Sequence, residues 1–269
     1  MKLEILKYVP EKEQKGLPIL FIHGAHHGAW CWKEHFLPYF SSKGFYGLAL
    51  SLRGHGESEG YEELHSFSLD DYVEDVLQVM SSIEGKLILV GHSMGGAIVQ
   101  KLLYYHPEKV EMAVLMASVS HKGMVKDMLR VAVTNLRVVL QMIKFNKGED
   151  VIFPPKVFFS KKLNADERNK YLELLQPESD RARNDMFKPI VPLPVSTKVP
   201  VLVIGSKKDW YFPNKTVKEI AKAYGTEAVI FPDISHDMML DPRWKEVADK
   251  MIEFFTNTQK QSLASVKGE

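Results

Sequence analysis

The stretch Leu87-Ile88-Leu89-Val90-Gly91-His92-Ser93-Met94-Gly95-Gly96-Ala97-Ile98-Val99 governs how the rest of the chain is read. Its first four residues form the short, continuous apolar run of a strand buried on both faces, and its last residues open a helical pattern. Between them a serine sits on a sharp strand-to-helix turn. Gly91 and Gly95 lie two residues before and after it, where a side chain would collide with the tight turn. This is a nucleophile elbow. In a chain with 17 glycines the pentapeptide alone could arise by chance, and the flanking strand and helix are what give it weight.

Further apolar runs repeat on either side of this elbow: Ile19 to Ile22, Tyr46 to Leu50, Ala113 to Met116, Val201 to Ile204 and Ala228 to Phe231. The alternating segment Met1 to Lys7 reads as another strand and lacks the apolar centre of a signal peptide. Helical spacing separates most of the runs. Tyr72, Val73, Val76, Leu77, Met80 and Ile83 recur at 3.6-residue spacing, with Ser68 as N-cap and Asp70 and Asp71 in the first turn. Ile98, Leu102 and Leu103 continue the helix after the elbow, and Trp244, Val247, Ala248, Met251, Ile252 and Phe255 form a last one. Alternating strand and helix predict an α/β fold, a mostly parallel sheet covered by helices on both faces.

From residue 120 to about 199 the strand signal disappears. Met124, Met128, Leu129, Val131, Leu136, Val139, Leu140, Met142 and Ile143 carry more apolar surface than a lone helix tolerates in water, so the segment is expected to pack on something. The expected organisation is a core domain in two parts, 1–119 and 200–256, a helical lid insertion at 120–199, and a polar tail at 257–269 that frays.

Composition excludes several classes of function. Thirty-five basic against 34 acidic residues leave a net charge of +1, which gives no footing to a polyanionic partner such as nucleic acid. Cys31 is the only cysteine, so no intrachain disulfide exists; a half-buried thiol in a reducing compartment is the expectation. No run reaches the roughly 18 apolar residues of a membrane span, and a cytoplasmic monomer or homodimer is expected.

A serine hydroxyl needs a base to take its proton and a carboxylate to orient that base. Asp209 follows the run Val201 to Ile204, and His236 follows Ala228 to Phe231; both fall at the carboxyl ends of predicted strands, where open α/β sheets hold their sites. His92 lies inside the turn, and His65, His106 and His121 lie away from a late strand end. Asp233, Asp237 and Asp241 read as surface turn or helix-cap residues, and Asp127 is the rival acid if the carboxylate comes from an earlier loop. The oxyanion needs two preorganised donors, and the backbone N–H groups of Ala25 and Met94 are the candidates. His26, Trp30, Trp210, Met124 and Met128 are candidate substrate contacts. His23, His26, His27 and Cys31 crowd together but match no zinc spacing, and Gly54-His55-Gly56 lacks the rest of a phosphate loop, so neither metal nor cofactor is expected.

Taken together, His23-Gly24 after an early strand, Arg53-Gly54-His55-Gly56-Glu57-Ser58 after the next, the Ser93 elbow, Asp209 and His236 resemble the α/β-hydrolase fold over nearly the whole chain, including its Ser, Asp, His order. The loop His23-Gly24-Ala25-His26-His27-Gly28-Ala29-Trp30 is similar to that of the methylesterase and hydroxynitrile lyase branch. The block Ser235-His236-Asp237-Met238-Met239-Leu240-Asp241 is similar to bacterial carboxylesterases and lysophospholipase-like hydrolases, with Ser235 where many relatives carry glycine. The resemblance implies a cofactor-free serine hydrolase acting on carboxylic esters with an apolar acyl or alcohol portion. Hydroxynitrile lyase, thioesterase, lactonase or C–C hydrolase chemistry uses the same parts, and a ligand-binding receptor on this scaffold is the alternative of a different class.

Overall fold

The computed structural model describes residues 1–11, 14 and 16–267, of which 262–267 are described by backbone alone. In chain order the elements are β1 (Ile5–Tyr8), β2 (Ile19–Ile22), α1 (Trp30–Lys33), α2 (Phe36–Ser42), β3 (Gly47–Leu50), α3 (Leu69–Ser81), β4 (Leu87–His92), α4 (Met94–Tyr105), β5 (Val110–Met116), α5 (Val125–Asn146), α6 (Ala165–Glu173), α7 (Asp180–Asp185), β6 (Val201–Ser206), α8 (Asn214–Ala223), β7 (Ala228–Phe231) and α9 (Trp244–Lys267). Seven strands form one sheet in the order β1-β3-β2-β4-β5-β6-β7. Only β1 runs antiparallel, so the sheet is mostly parallel as the alternation predicts. Each residue of the central strands β2, β3 and β4 is buried because helices cover both faces, which is why these strands read as unbroken apolar runs.

Local chemistry starts the helices where the sequence suggests. Ser68 Oγ accepts from the Asp71 N–H at 3.2 Å and Asp71 Oδ2 accepts from the Ser68 N–H at 2.7 Å, a reciprocal cap that contributes on the order of 1 kcal/mol. Instead of fraying at Thr256, α9 continues to Lys267, because Gln, Lys, Ala and Leu in that stretch are good helix formers; residues 268 and 269 lie outside the described residues.

Between β5 and β6 the chain forms α5, α6 and α7 and no strand. One expectation for this segment is corrected. Met124 and Val131 are buried and Met128, Val139 and Met142 partly so, but Leu129, Leu136, Leu140 and Ile143 are exposed. A helix can turn only one face inward, and α5 is apolar on two.

A buried ion pair joins this segment to the loop after β3 and to α3. His55 offers Nδ1–H to the Arg53 carbonyl and Nε2–H to Glu178 Oε2, both at 3.1 Å; two acceptors for two ring nitrogens make it an imidazolium. Glu178 Oε1 accepts from Tyr72 Oη and the Ser179 N–H, each at 2.7 Å. Burial opposes the charge on both partners, yet the pairing overcomes it, holding Glu178 at about 2 and His55 above its ordinary value. The stability contributed by Glu178 is therefore present above its ordinary pKa of 4.5 and lost as pH falls toward 2, whereas that of His55 is present below 6.5 and lost as pH rises through its raised value. Glu178→Gln is expected to cost about 3–5 kcal/mol and to flatten both limbs of the stability profile, and thermal melts across pH 3 to 9 check it. Parallel wild-type and variant profiles would refute the assignment.

Candidate active site

The turn after β4 puts Ser93 at φ 52°, ψ −113°, a backbone conformation that β-carbon-bearing residues rarely adopt. The flanking glycines are required by space. A Cβ on Gly91 would lie 2.3 Å from the Gly95 carbonyl oxygen, and one on Gly95 would lie 2.3 Å from that of Ile22. The half-buried Ser93 thus stands between the carboxyl end of β4 and the first turn of α4, in the lining of a cavity.

Asp209 follows β6 and His236 follows β7. His236 Nδ1 lies 3.0 Å from both Asp209 oxygens, with both side chains fully buried. Because a carboxylate only accepts, Nδ1 carries the hydrogen and Nε2 keeps its lone pair. The N–H groups of Tyr211 and Phe212 donate to Asp209 Oδ1 at 2.8 and 3.0 Å and hold the carboxylate in place. Burial alone would lower the His236 pKa, but the Asp209 charge and hydrogen bond prevail and raise it above 6.5. His236 Nε2 is buried without a hydrogen-bond partner, and among the described residues Ser93 Oγ has none either. The rival acid Asp127 lies elsewhere: its Oδ1 accepts from Thr216 Oγ1 at 2.8 Å.

Ala25 and Ser93 both line the cavity. The Ala25 N–H has no acceptor among the described residues, and Met94 opens α4, where no intrahelical acceptor exists. Two donors are thus free for a negatively charged oxygen. The loop that carries Ala25 is stitched down on every side. His26 Nδ1 donates to the Gln176 carbonyl at 2.9 Å, and the Gln176 N–H returns to the His26 carbonyl at 3.1 Å. His23 donates to the Gly24 carbonyl and accepts from the Leu52 N–H; burial, with His55 close by, keeps this ring neutral by lowering its pKa to about 3.

His27 and Asp237 form a pair that the sequence reading missed, since Asp237 looks like a surface turn residue. Both side chains are fully buried, with His27 Nε2 at 2.9 Å from Asp237 Oδ2 and His27 Nδ1 at 2.8 Å from the Ala25 carbonyl. The ring is thus fixed at both nitrogens, tying the loop that carries Ala25 to the block that follows His236. The strand-end rule gives a position for the base but says nothing of its neighbour, and no spacing signal links partners 210 residues apart. Asp241 is also buried, accepting from the Ser235 N–H and Oγ, whereas Asp233 is paired on the surface with Lys162.

Apart from Ser93, His26, His92 and Arg183, the cavity lining is mainly apolar, including Met128, Met142, Phe158, Met186 and Phe212. His26, Met124 and Met128 lie in it. Trp30 and Trp210 do not: Trp30 stacks on His27 and Tyr171, and the Trp210 ring packs edge-on against Tyr211. Adjacency in sequence to a site loop does not aim a side chain at the site. Arg183, also missed, lines the cavity with Nη1 3.1 Å from Asp180 Oδ1. Cys31 is fully buried, which pushes its thiol well above the usual range. Among the described residues, the group that brings three potential metal-ligand atoms within 4.8 Å is His92, His236 and Asp237, not the His23–Cys31 cluster. An ion there would consume a His236 lone pair, and His92 Nε2 already donates to the His236 carbonyl at 3.1 Å.

A model of the alpha/beta hydrolase family matches residues 19–250. The chain is 30% identical over 209 residues to pFDCC methylesterase MES16 of Arabidopsis thaliana, covering 72% of this chain and 78% of that protein. Norfluorocurarine synthase 1 of Strychnos nux-vomica is 38% identical over 114 residues, a match that spans 41% of its length. The crystal structure of MES16 superposes with a TM-score of 0.70 at 23% identity, covering 89% of this chain and 99% of that one. The monoacylglycerol lipase of Paleococcus ferrophilus gives 0.72 at 19%, covering 96% and 100%. At these identities the two structural likenesses speak to fold alone.

Proposed function

The chain belongs to the alpha/beta hydrolase family, and on that premise we propose that it hydrolyses carboxylic esters through a serine acyl-enzyme. Ser93 Oγ attacks the ester carbonyl while His236 Nε2 takes its proton, and Asp209 holds the imidazole with Nδ1–H inward and steadies the imidazolium that forms. The carbonyl oxygen, now negative, accepts from the Ala25 and Met94 N–H groups. His236 returns the proton to the leaving alcohol. A water deprotonated by the same nitrogen then attacks the acyl carbon, releasing the acid and restoring Ser93.

The observation that carries this reading is the buried Asp209–His236 pair, whose free Nε2 lone pair belongs to the same strand-end cluster as a serine held at positive φ. Residues 120–199 act as the lid in this reading. Methionine and phenylalanine side chains in the cavity favour an apolar acyl portion, and the kinship with a plant methylesterase favours a small leaving alcohol. A fluorophosphonate followed by peptide mass spectrometry tests the proposal: one adduct on Ser93, appearing in step with loss of chromogenic-ester hydrolysis, is expected. An adduct elsewhere, or none on protein that hydrolyses the ester, would overturn it.

A further inference from the structure

We propose that the outer face of α5, with the basic groove beside it, is a docking surface for an anionic phospholipid bilayer. Val125, Leu129, Val133, Leu136 and Leu140 are each between 51% and 79% exposed; the first three recur every four residues before a kink at Asn135 (φ −144°, ψ 41°), and the last two lie four apart after it. Scattered exposed aliphatics are ordinary on a protein surface, but a cluster of five within sixteen residues marks an interaction site. The opposite face is already in use, since Met128 and Met142 line the cavity that holds Ser93.

Charge selects the occupant. Four of the exposed aliphatics are each followed by a cation, in Val125-Lys126, Leu129-Arg130, Leu136-Arg137 and Ile143-Lys144, so the cations run beside the apolar row about 100° around the helix. The single acid of α5, Asp127, is buried against Thr216. Arg130 is occupied in part, donating to the Trp210 and Tyr211 carbonyls at 2.9 and 2.8 Å, and Lys144 has Glu149 at 3.8 Å. Lys126 and Arg137 have no ion pair among the described residues. A groove against Val138 and Gln141 of the same helix adds Lys156, Lys161 and Arg168 to the basic side, with no acid in its lining. Pairing two copies of this chain antiparallel through the row would set cation against cation, and in either orientation the single acid of α5 is buried and meets none of them. An anionic bilayer instead places phosphates opposite the cations and acyl chains opposite the aliphatics, with the helix lying roughly 5–10 Å into the headgroup boundary. Docked in this way, the cavity-lining helix would rest on the phase in which apolar esters collect.

The test is co-sedimentation of the intact chain with vesicles of phosphatidylcholine alone or mixed with phosphatidylglycerol, read without any turnover so that it stands apart from the proposed esterase activity. Binding to the anionic vesicles alone, weakened by salt, is expected. Neutralising Lys126, Arg137 or Lys144 to Gln should lower the partition coefficient about fivefold each. The double variant Leu129→Glu/Leu136→Glu should lose vesicle binding while keeping the far-UV circular dichroism spectrum and cooperative thermal melt of the wild type, which show that it is folded. Equal binding to both vesicle types, unchanged binding of the double variant, or sedimentation equilibrium showing a dimer that the double variant dissolves would each overturn the proposal.

Discussion

Ser93→Ala is expected to lower kcat for a chromogenic ester by about 10⁴- to 10⁶-fold while leaving fold and ligand affinity in place. The hydroxyl is the only atom group removed, and alanine is held in the same positive-φ turn as serine, so the elbow carries no new strain. The two backbone donors and the apolar cavity persist, and they account for binding and for the residual acceleration. A loss of 10⁴ corresponds to about 5 kcal/mol of transition-state stabilisation, more than any plausible repositioning of a neighbouring residue would remove. Kinetics on the purified variant, with thermal melts as a folding control, decide the matter; a variant retaining more than about one hundredth of wild-type kcat would sink the assignment of Ser93.

Asp209→Asn is expected to lower kcat by about 10⁴-fold with little change in KM, and Asp127→Asn to change it by no more than a few-fold. The asymmetry follows from geometry: Asp209 accepts Nδ1–H of His236, and an amide there can present NH₂ to the ring and favour the tautomer with hydrogen on Nε2, which cannot act as base. Asp127 contributes one buried hydrogen bond to Thr216 and should be felt mainly in stability. The pH dependence carries a second signature. In the proposed mechanism His236 acts only when neutral, and Asp209 raises its pKa from the ordinary 6.5, so kcat/KM in the wild type should rise with pH through a midpoint above 6.5. In Asp209→Asn the raising partner is gone and burial remains, so the midpoint of the residual activity should fall. A larger loss in Asp127→Asn, or an unmoved midpoint in Asp209→Asn, would contradict the assignment.

The parts of the site that the chain announces are those governed by local steric rules. Gly91-His92-Ser93-Met94-Gly95 can be read because a turn that tight admits few residue types, and the strand-end positions of Asp209 and His236 follow once the buried strands are recognised as apolar runs. Residues whose importance comes from packing against distant segments escape such reading. Asp237 has the same appearance in sequence as Asp233; one is fully buried against His27 and the other lies on the surface beside Lys162. Glu178 carries no motif at all, yet it anchors the inserted segment to His55 and Tyr72.

By itself, then, the sequence determined the alternation of strands and helices, the mostly parallel sheet and the strand-end positions of Ser93, Asp209 and His236, because each depends on periodicity or on a turn a few residues long. Tertiary structure alone decided which face of α5 meets the cavity and which meets solvent, that Met128 rather than Trp30 or Trp210 lines the pocket, and that His27 and Asp237 hold the Ala25 loop. A helix apolar on two faces satisfies the same periodic pattern in either orientation, and a buried polar pair is set by the meeting of segments far apart in the chain.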